Sequence, residues 1–309
     1  MRRIVRGAVL GLAAALTLTA CGGGGGDTSN PLTGGGGAGA GTVTVGSANF
    51  PESALLGEVY AQALEAKGIK VTRKFNIGAR EVYYDQVVKG GISVMPEYNG
   101  ALLTVAVDKT SEAATTEEVN AALKAKLPAA VEILNSATAE DKDSVTVNEQ
   151  TARKYNLKTI ADLKDVAKDL TIGGPSEFKT RKHGLPGLKD KYAVEFGKFQ
   201  PFDAGAQSTL VKLLKDDEIQ AADLFTTDPT IATNKFVVLE DPENLFASQN
   251  VTPLIYKTAV DEQGRAALNA VSAKLTTQDL LDMMARIVVD KDDQETVAKD
   301  WLTKAGLAA

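Results

Sequence analysis

The sequence predicts an α/β protein, on two observations. Short β-rich runs alternate with amphipathic helical runs from residue 42 onward. The segments that follow the strands are rich in amides, hydroxyls and aromatic rings, and open α/β sheets bind ligands beyond the carboxyl ends of their strands. Residues 42–309 are long enough for one large or two medium domains.

Thr42-Val43-Thr44-Val45-Gly46 reads as the first strand. Asn49 is placed to cap the next helix, Pro51 suits its first turn, and Glu52 stands three residues after Asn49, the spacing of a capping box. Leu55, Leu56, Val59, Tyr60, Ala63 and Leu64 then form one apolar helical face that ends near Gly68. Residues 69–75 read as a second strand, 80–89 as a helix and 92–95 as a short buried strand. Later, residues 170–173 form a strand that runs into Pro175-Ser176-Glu177-Phe178, and 206–215 form a helix. The strand 221–225 ends at Thr226-Thr227-Asp228-Pro229. Three helical periodicities, over 264–274, 277–288 and 295–304, crowd the C-terminal end.

The first twenty residues predict where the chain lives. Arg2, Arg3 and Arg6 precede an apolar run from Ala8 to Leu18, the length of a signal segment and too short to span a bilayer. Leu18-Thr19-Ala20-Cys21 matches a bacterial lipobox, and Cys21 is the only cysteine. Residues 1–20 are therefore expected to be a lipoprotein signal peptide, with Cys21 as the lipid attachment site. Two acyl chains hold a protein stably on a membrane. The glycine-rich segment 21–41 is a flexible tether. These features predict a lipid-anchored protein on the extracytoplasmic face of a bacterial cell membrane.

The chain carries 40 acidic and 34 basic residues, a net charge of −6. That balance excludes the basic footprint of nucleic-acid binding. His183 is the sole histidine and is expected at the surface. No Cys-x-x-Cys, His-Glu-x-x-His, phosphate-loop or Gly-x-Ser-x-Gly pattern occurs, so neither an enzyme nor a metal or cofactor protein is predicted.

Several motifs carry a resemblance. Val43-Thr44-Val45-Gly46-Ser47-Ala48-Asn49-Phe50-Pro51-Glu52-Ser53, Met95-Pro96-Glu97-Tyr98-Asn99-Gly100, Pro175-Ser176-Glu177-Phe178 with Arg181 and Gly184-Leu185-Pro186-Gly187-Leu188, Ala222-Asp223-Leu224-Phe225-Thr226-Thr227-Asp228, and Val237-Val238-Leu239-Glu240-Asp241 stand in this order. Together they resemble the glycine betaine, carnitine and choline substrate-binding lipoproteins of ABC transporters. The resemblance implies a two-lobed, periplasmic-binding-protein-like fold of type II, with two crossovers between the lobes. Residues 42–143 plus 252–309 would form lobe 1, and 144–251 lobe 2. It implies a binding protein rather than an enzyme, a monomer that captures a small-molecule solute and hands it to permease and ATPase subunits on separate chains.

In that family an aromatic cage holds the ligand's quaternary ammonium. Carried onto this chain, the resemblance implies a ligand site made of Asn49, Phe50, Arg80, Tyr98, Asn99, Phe178, Arg181, Phe225, Thr226, Thr227 and Asn250. Tyr192 sits at helical spacing and is expected in the core. Arg80 and Arg181 are the candidate anchors for an anionic group on the ligand. The chain departs from the family pattern at Ala48, Asn99, Ala101 and the run Phe246-Ala247-Ser248-Gln249-Asn250. Those departures keep two other readings open: the same fold with a different polar or aromatic solute, or a lipid-anchored sensor.

Overall fold

The computed structural model of the chain describes residues 41–308. The expected signal segment, Cys21 and all of the tether but Gly41 lie outside the described residues.

Strand β1 (Thr42–Gly46) leads through the loop 47–50 into helix α1 (Pro51–Glu65), strand β2 (Lys70–Lys74), helix α2 (Arg80–Val88) and strand β3 (Val94–Tyr98). Strand β4 is Val131–Ile133. Then come β5 (Asp143–Val147), β6 (Thr171–Pro175), β7 (Lys198–Phe202), β8 (Ala221–Phe225), β9 (Val237–Val238) and β10 (Val251–Tyr256). They form two five-stranded sheets, ordered β2-β1-β3-β10-β4 and β7-β6-β8-β5-β9. In the first, β10 alone runs antiparallel to its neighbours β3 and β4; in the second, β5 runs antiparallel to β8 and β9. The sheets thus share one plan, and the two-lobed α/β architecture is the one expected.

Each sheet is covered by helices. In the first lobe α1 packs on one face with the helices Glu262–Ser272, Thr277–Ala285 and Gln294–Ala305, burying Leu55, Val59, Leu268, Val297 and Trp301. The other face buries Val87, Ile92, Met95, Leu103, Leu123 and Leu254. The second lobe is built likewise, around Val145, Ile172, Leu188 and Ala221 on one side and Leu210, Leu214 and Leu224 on the other. Among the described residues no helix is long and apolar enough to cross a membrane.

Two segments, 134–142 and 239–250, join the lobes. They pair with each other: the Asp141 amide donates to the Gln249 carbonyl, and the Val251 amide to that of Ala139. Gly100 lets the second crossover come close, since a Cβ there would stand 2.2 Å from the Ser248 carbonyl oxygen.

Three sequence expectations change. The buried strand expected at 92–95 runs on to Tyr98, so Pro96, Glu97 and Tyr98 lie in the strand rather than after it. Pairing with β10 overrides the breaker, because Pro96 sits opposite Pro253 and the two residues that cannot donate share one rung. The capping box at α1 does not form: Phe50 takes the cap position with no side-chain bond, and Glu52 turns inward. His183 is not at the surface but 6% exposed.

Candidate functional site

A cavity of about 60 Å³ lies between the lobes, at the ends of β1, β3, β6 and β8. Phe50, Arg80, Tyr83 and Tyr98 line it from the first lobe, Asp143, Glu177, Arg181 and Phe225 from the second, and Asp141 from the crossover. Three aromatic rings form a continuous wall across both lobes. Phe50 stands 6.1 Å from Tyr98 and 5.1 Å from Phe225 between ring centroids. A second, wider cavity of about 410 Å³ borders the lobes beyond Gln249, but no phenylalanine, tyrosine or tryptophan lines it. The first is therefore the better fit to a small ligand with an apolar body.

The lobes touch across the site. Arg181 donates to Glu81 from Nε (3.1 Å) and Nη2 (2.9 Å). Asn49 donates to Asp203 at 3.3 Å. Lys182 reaches the Ser111 carbonyl at 2.7 Å. Thr227 donates its hydroxyl to Glu52 Oε2 at 2.5 Å, while the Tyr98 hydroxyl donates to Glu52 Oε1 at 2.6 Å. Asp141 accepts from the Thr227 amide (3.1 Å) and the Thr226 hydroxyl (3.2 Å).

Asp141 at the cavity is thus joined through Thr227 to a second buried carboxyl, Glu52. Burial pushes Glu52 up despite the donors Thr227 and Tyr98, and burial beside Glu52 pushes Asp141 well up. The coupling is one-sided: Glu52 raises Asp141, while the hydrogen bond to Asp141 holds Glu52 down in part. Burial and the neighbouring Glu52 also keep Tyr98 a neutral phenol. Arg80 is buried against Glu97, to which it donates three bonds of 2.8–3.1 Å, and Tyr83 donates a fourth at 2.9 Å. Burial opposes the charge on Arg80, but Glu97 outweighs it and the guanidinium stays protonated. For Glu81, burial is outweighed by Arg181, which holds the carboxyl below its usual value. His183 is pushed down to about 4 by burial, although Asp143 lies 3.6 Å away.

Of the residues implied by the resemblance, Asn49, Phe50, Arg80, Tyr98, Arg181 and Phe225 are brought together around the cavity. The other five are not among its lining residues. Phe178 is 2% exposed and packs in the second-lobe core beside Phe199. Asn99 and Asn250 hold the crossover to the first lobe: the Asn99 side-chain oxygen accepts from the amides of Gly100 and Asn250, both at 2.9 Å. Thr226 and Thr227 serve the carboxyls rather than the cavity. Tyr192 is buried in the second-lobe core, as expected, with its hydroxyl on Asp241.

Asp141, Asp143, Tyr83 and Glu177 line the cavity without having been singled out in the sequence. Tyr83 had a signal, since it lies three residues after Arg80 and shares its helical face. Asp141 and Asp143 sit in the charged run Glu140-Asp141-Lys142-Asp143, which reads as a solvated loop until the crossover is located.

The arrangement is a closable pocket of fixed dipoles and rings, and it has relatives. Residues 41–304 match the family described as "Substrate binding domain of ABC-type glycine betaine transport system". The glycine betaine-binding protein YehZ of Escherichia coli strain K12 is 25% identical over 276 residues, 85% of this chain and 90% of that protein. The carnitine transport binding protein OpuCC of Listeria monocytogenes is 24% identical over 276 residues, 85% and 86% of the two chains. A crystal structure titled as a glycine betaine/carnitine/choline ABC transporter superposes with a TM-score of 0.67 at 21% identity, covering 86% of this chain and 99% of that one. These are solute receptors and not enzymes. The match over most of the chain places this protein in the family of substrate-binding domains of ABC-type glycine betaine transport systems.

Proposed function

We propose that this protein is the extracytoplasmic receptor of an importer that captures a quaternary amine between its lobes and presents it to a permease. Permease and ATPase would be separate chains, the receptor would act as a monomer, and Cys21 would tether it to the membrane by acylation. The wall of Phe50, Tyr98 and Phe225 carries this reading, because it draws rings from both lobes against one cavity. Ring faces attract a delocalised cation, and rings split between two lobes make the ligand part of what holds the lobes together. Arg80, Arg181 and Asn49 would set the lobe geometry around it.

Thermal melting with a panel of glycine betaine, choline, carnitine and proline tests the ligand class. A ligand at one hundred times its dissociation constant adds about 2.7 kcal/mol of stability. At least one quaternary amine should raise the melting temperature; no shift with any of them would sink the reading. Membrane fractionation of Cys21→Ser cells tests the anchor, with release of an otherwise folded protein as the expected result.

A further inference from the structure

Within that reading, the charges around the cavity select among quaternary amines. Both arginines that reach it are already neutralised. Arg80 gives Nε and Nη2 to Glu97, and Arg181 gives Nε and Nη2 to Glu81. Each leaves Nη1 outside its pair, able to donate to a neutral oxygen but no longer a full counter-charge for a carboxylate.

The acids are not matched in this way. Asp143 lines the cavity, and among the described residues its salt-bridge partner is His183 at 3.6 Å. Burial keeps that imidazole neutral above a pH of about 4, so it gives Asp143 no positive charge at neutral pH. Strand register adds a second acid. Asp143 is paired with Phe225 and Val145 with Asp223, so Asp143, Asp223 and Phe225 share one face of the second sheet. Asp223 is 7% exposed, and its Oδ1 has no hydrogen-bond partner. A buried carboxyl oxygen left without a donor is rare. Here it backs the cavity wall that Phe225 and Asp143 form. Burial and the neighbouring Asp143 push Asp223 well up and favour its neutral form, with Arg181 acting against them, so the counter-charge on this face falls to Asp143.

We propose that Asp143 is the counter-charge for the ligand's ammonium, and that the site takes a small organic cation bearing a neutral oxygen in preference to a zwitterion bearing a carboxylate. The ammonium gains both the ring faces and the unpaired acid. A terminal carboxylate would meet two spent guanidinia and the field of Asp143. This rests on the quaternary-amine reading, and it names a specificity that reading leaves open.

Choline and glycine betaine are the matched probes, since they differ only in a terminal hydroxymethyl against a carboxylate. Calorimetric titration of the wild-type protein should show choline binding at least about tenfold more tightly, a difference of roughly 1.4 kcal/mol. The neutral isostere of choline, with carbon in place of nitrogen, should bind far more weakly than choline. Asp143→Asn should weaken choline about tenfold or more and leave glycine betaine within about threefold, and Asp143→Glu should restore much of the choline affinity. Melting curves of each variant establish that it is folded. Glycine betaine binding as tightly as choline, or the isostere matching it, overturns the cation preference while the receptor reading stands. Unchanged choline affinity in a folded Asp143→Asn overturns the role of Asp143. Binding of neither probe to folded wild-type protein overturns both readings together.

Discussion

Arg80 and Arg181 border the same cavity and each clasps a glutamate, yet the two pairs do different work. Arg80 and Glu97 belong to one lobe, with side chains 8% and 0% exposed, and they are in place whether or not the lobes meet. Arg181 and Glu81 belong to different lobes, with side chains 17% and 46% exposed, and their bond exists only while the lobes touch. A buried pair is costly to break, because either partner alone is a charge stranded in a poor solvent. A half-exposed pair is nearly free to break, because water takes over both partners. The first pair is part of the wall; the second is part of the latch.

The sharpest way to break this comparison is Glu97→Gln. It leaves Arg80 charged and buried without its counter-ion, and about 3–5 kcal/mol of stability should disappear in chemical denaturation. A loss under about 1 kcal/mol would mean that the pair is not part of the wall.

The second test uses His183, buried in the same lobe as Arg181 and pushed down from 6.5 to about 4. A histidine whose folded value is depressed contributes stability that is whole above pH 6.5 and is lost as pH falls toward 4. The lost part approaches about 3 kcal/mol. The carboxyls Glu52 and Asp141 run the other way, because raised acids favour the folded state as pH falls. The comparison of wild type with His183→Gln isolates the histidine: wild type should lose the extra stability between pH 6.5 and 4. Parallel curves would show that the imidazole is not buried as neutral.

Tyr98→Phe comes third. It removes the hydroxyl that donates to Glu52 and should cost about 1.5–3 kcal/mol, since the acceptor is a carboxyl group. The ring remains, so affinity for a quaternary amine should suffer less than in Tyr98→Ala, which loses the cation–π contribution as well. Equal loss of affinity in the two variants would place the hydroxyl, not the ring, in charge of binding.

Glu81→Gln should have the smallest effect on stability, under about 1 kcal/mol. Its effect belongs to lobe closure, so ligand dissociation should quicken a few-fold while the melting temperature of the free protein barely moves. A variant that unfolds as readily as Glu97→Gln would erase the distinction between wall and latch.

Much of this was legible in the sequence and some was not. Strands β1 and β8 and helices α1, α2 and the three near the end follow from periodicity, because each buries its own face against its own lobe. Strand β10 was not legible: it carries Pro253, and its partners β3 and β4 lie more than a hundred residues away in sequence. Phe50, Tyr98 and Phe225 were legible as motif aromatics, but their meeting needs both lobes. Glu52 was misread as a cap, because the spacing that makes a capping box is indifferent to whether a better partner waits in the core.

The alternation of elements and the order of the motifs are properties of the chain itself, and they determined the fold and the family. Which carboxylate meets which arginine was decided only in three dimensions. Glu81 is the neighbour of Arg80 in sequence, yet it pairs with Arg181, one hundred residues on, while Arg80 pairs with Glu97. Successive residues on a helix point about 100° apart, so Arg80 faces β3 while Glu81 faces the cleft. Local spacing sets the direction of each side chain, but the charge waiting in that direction depends on how the lobes are stacked and closed.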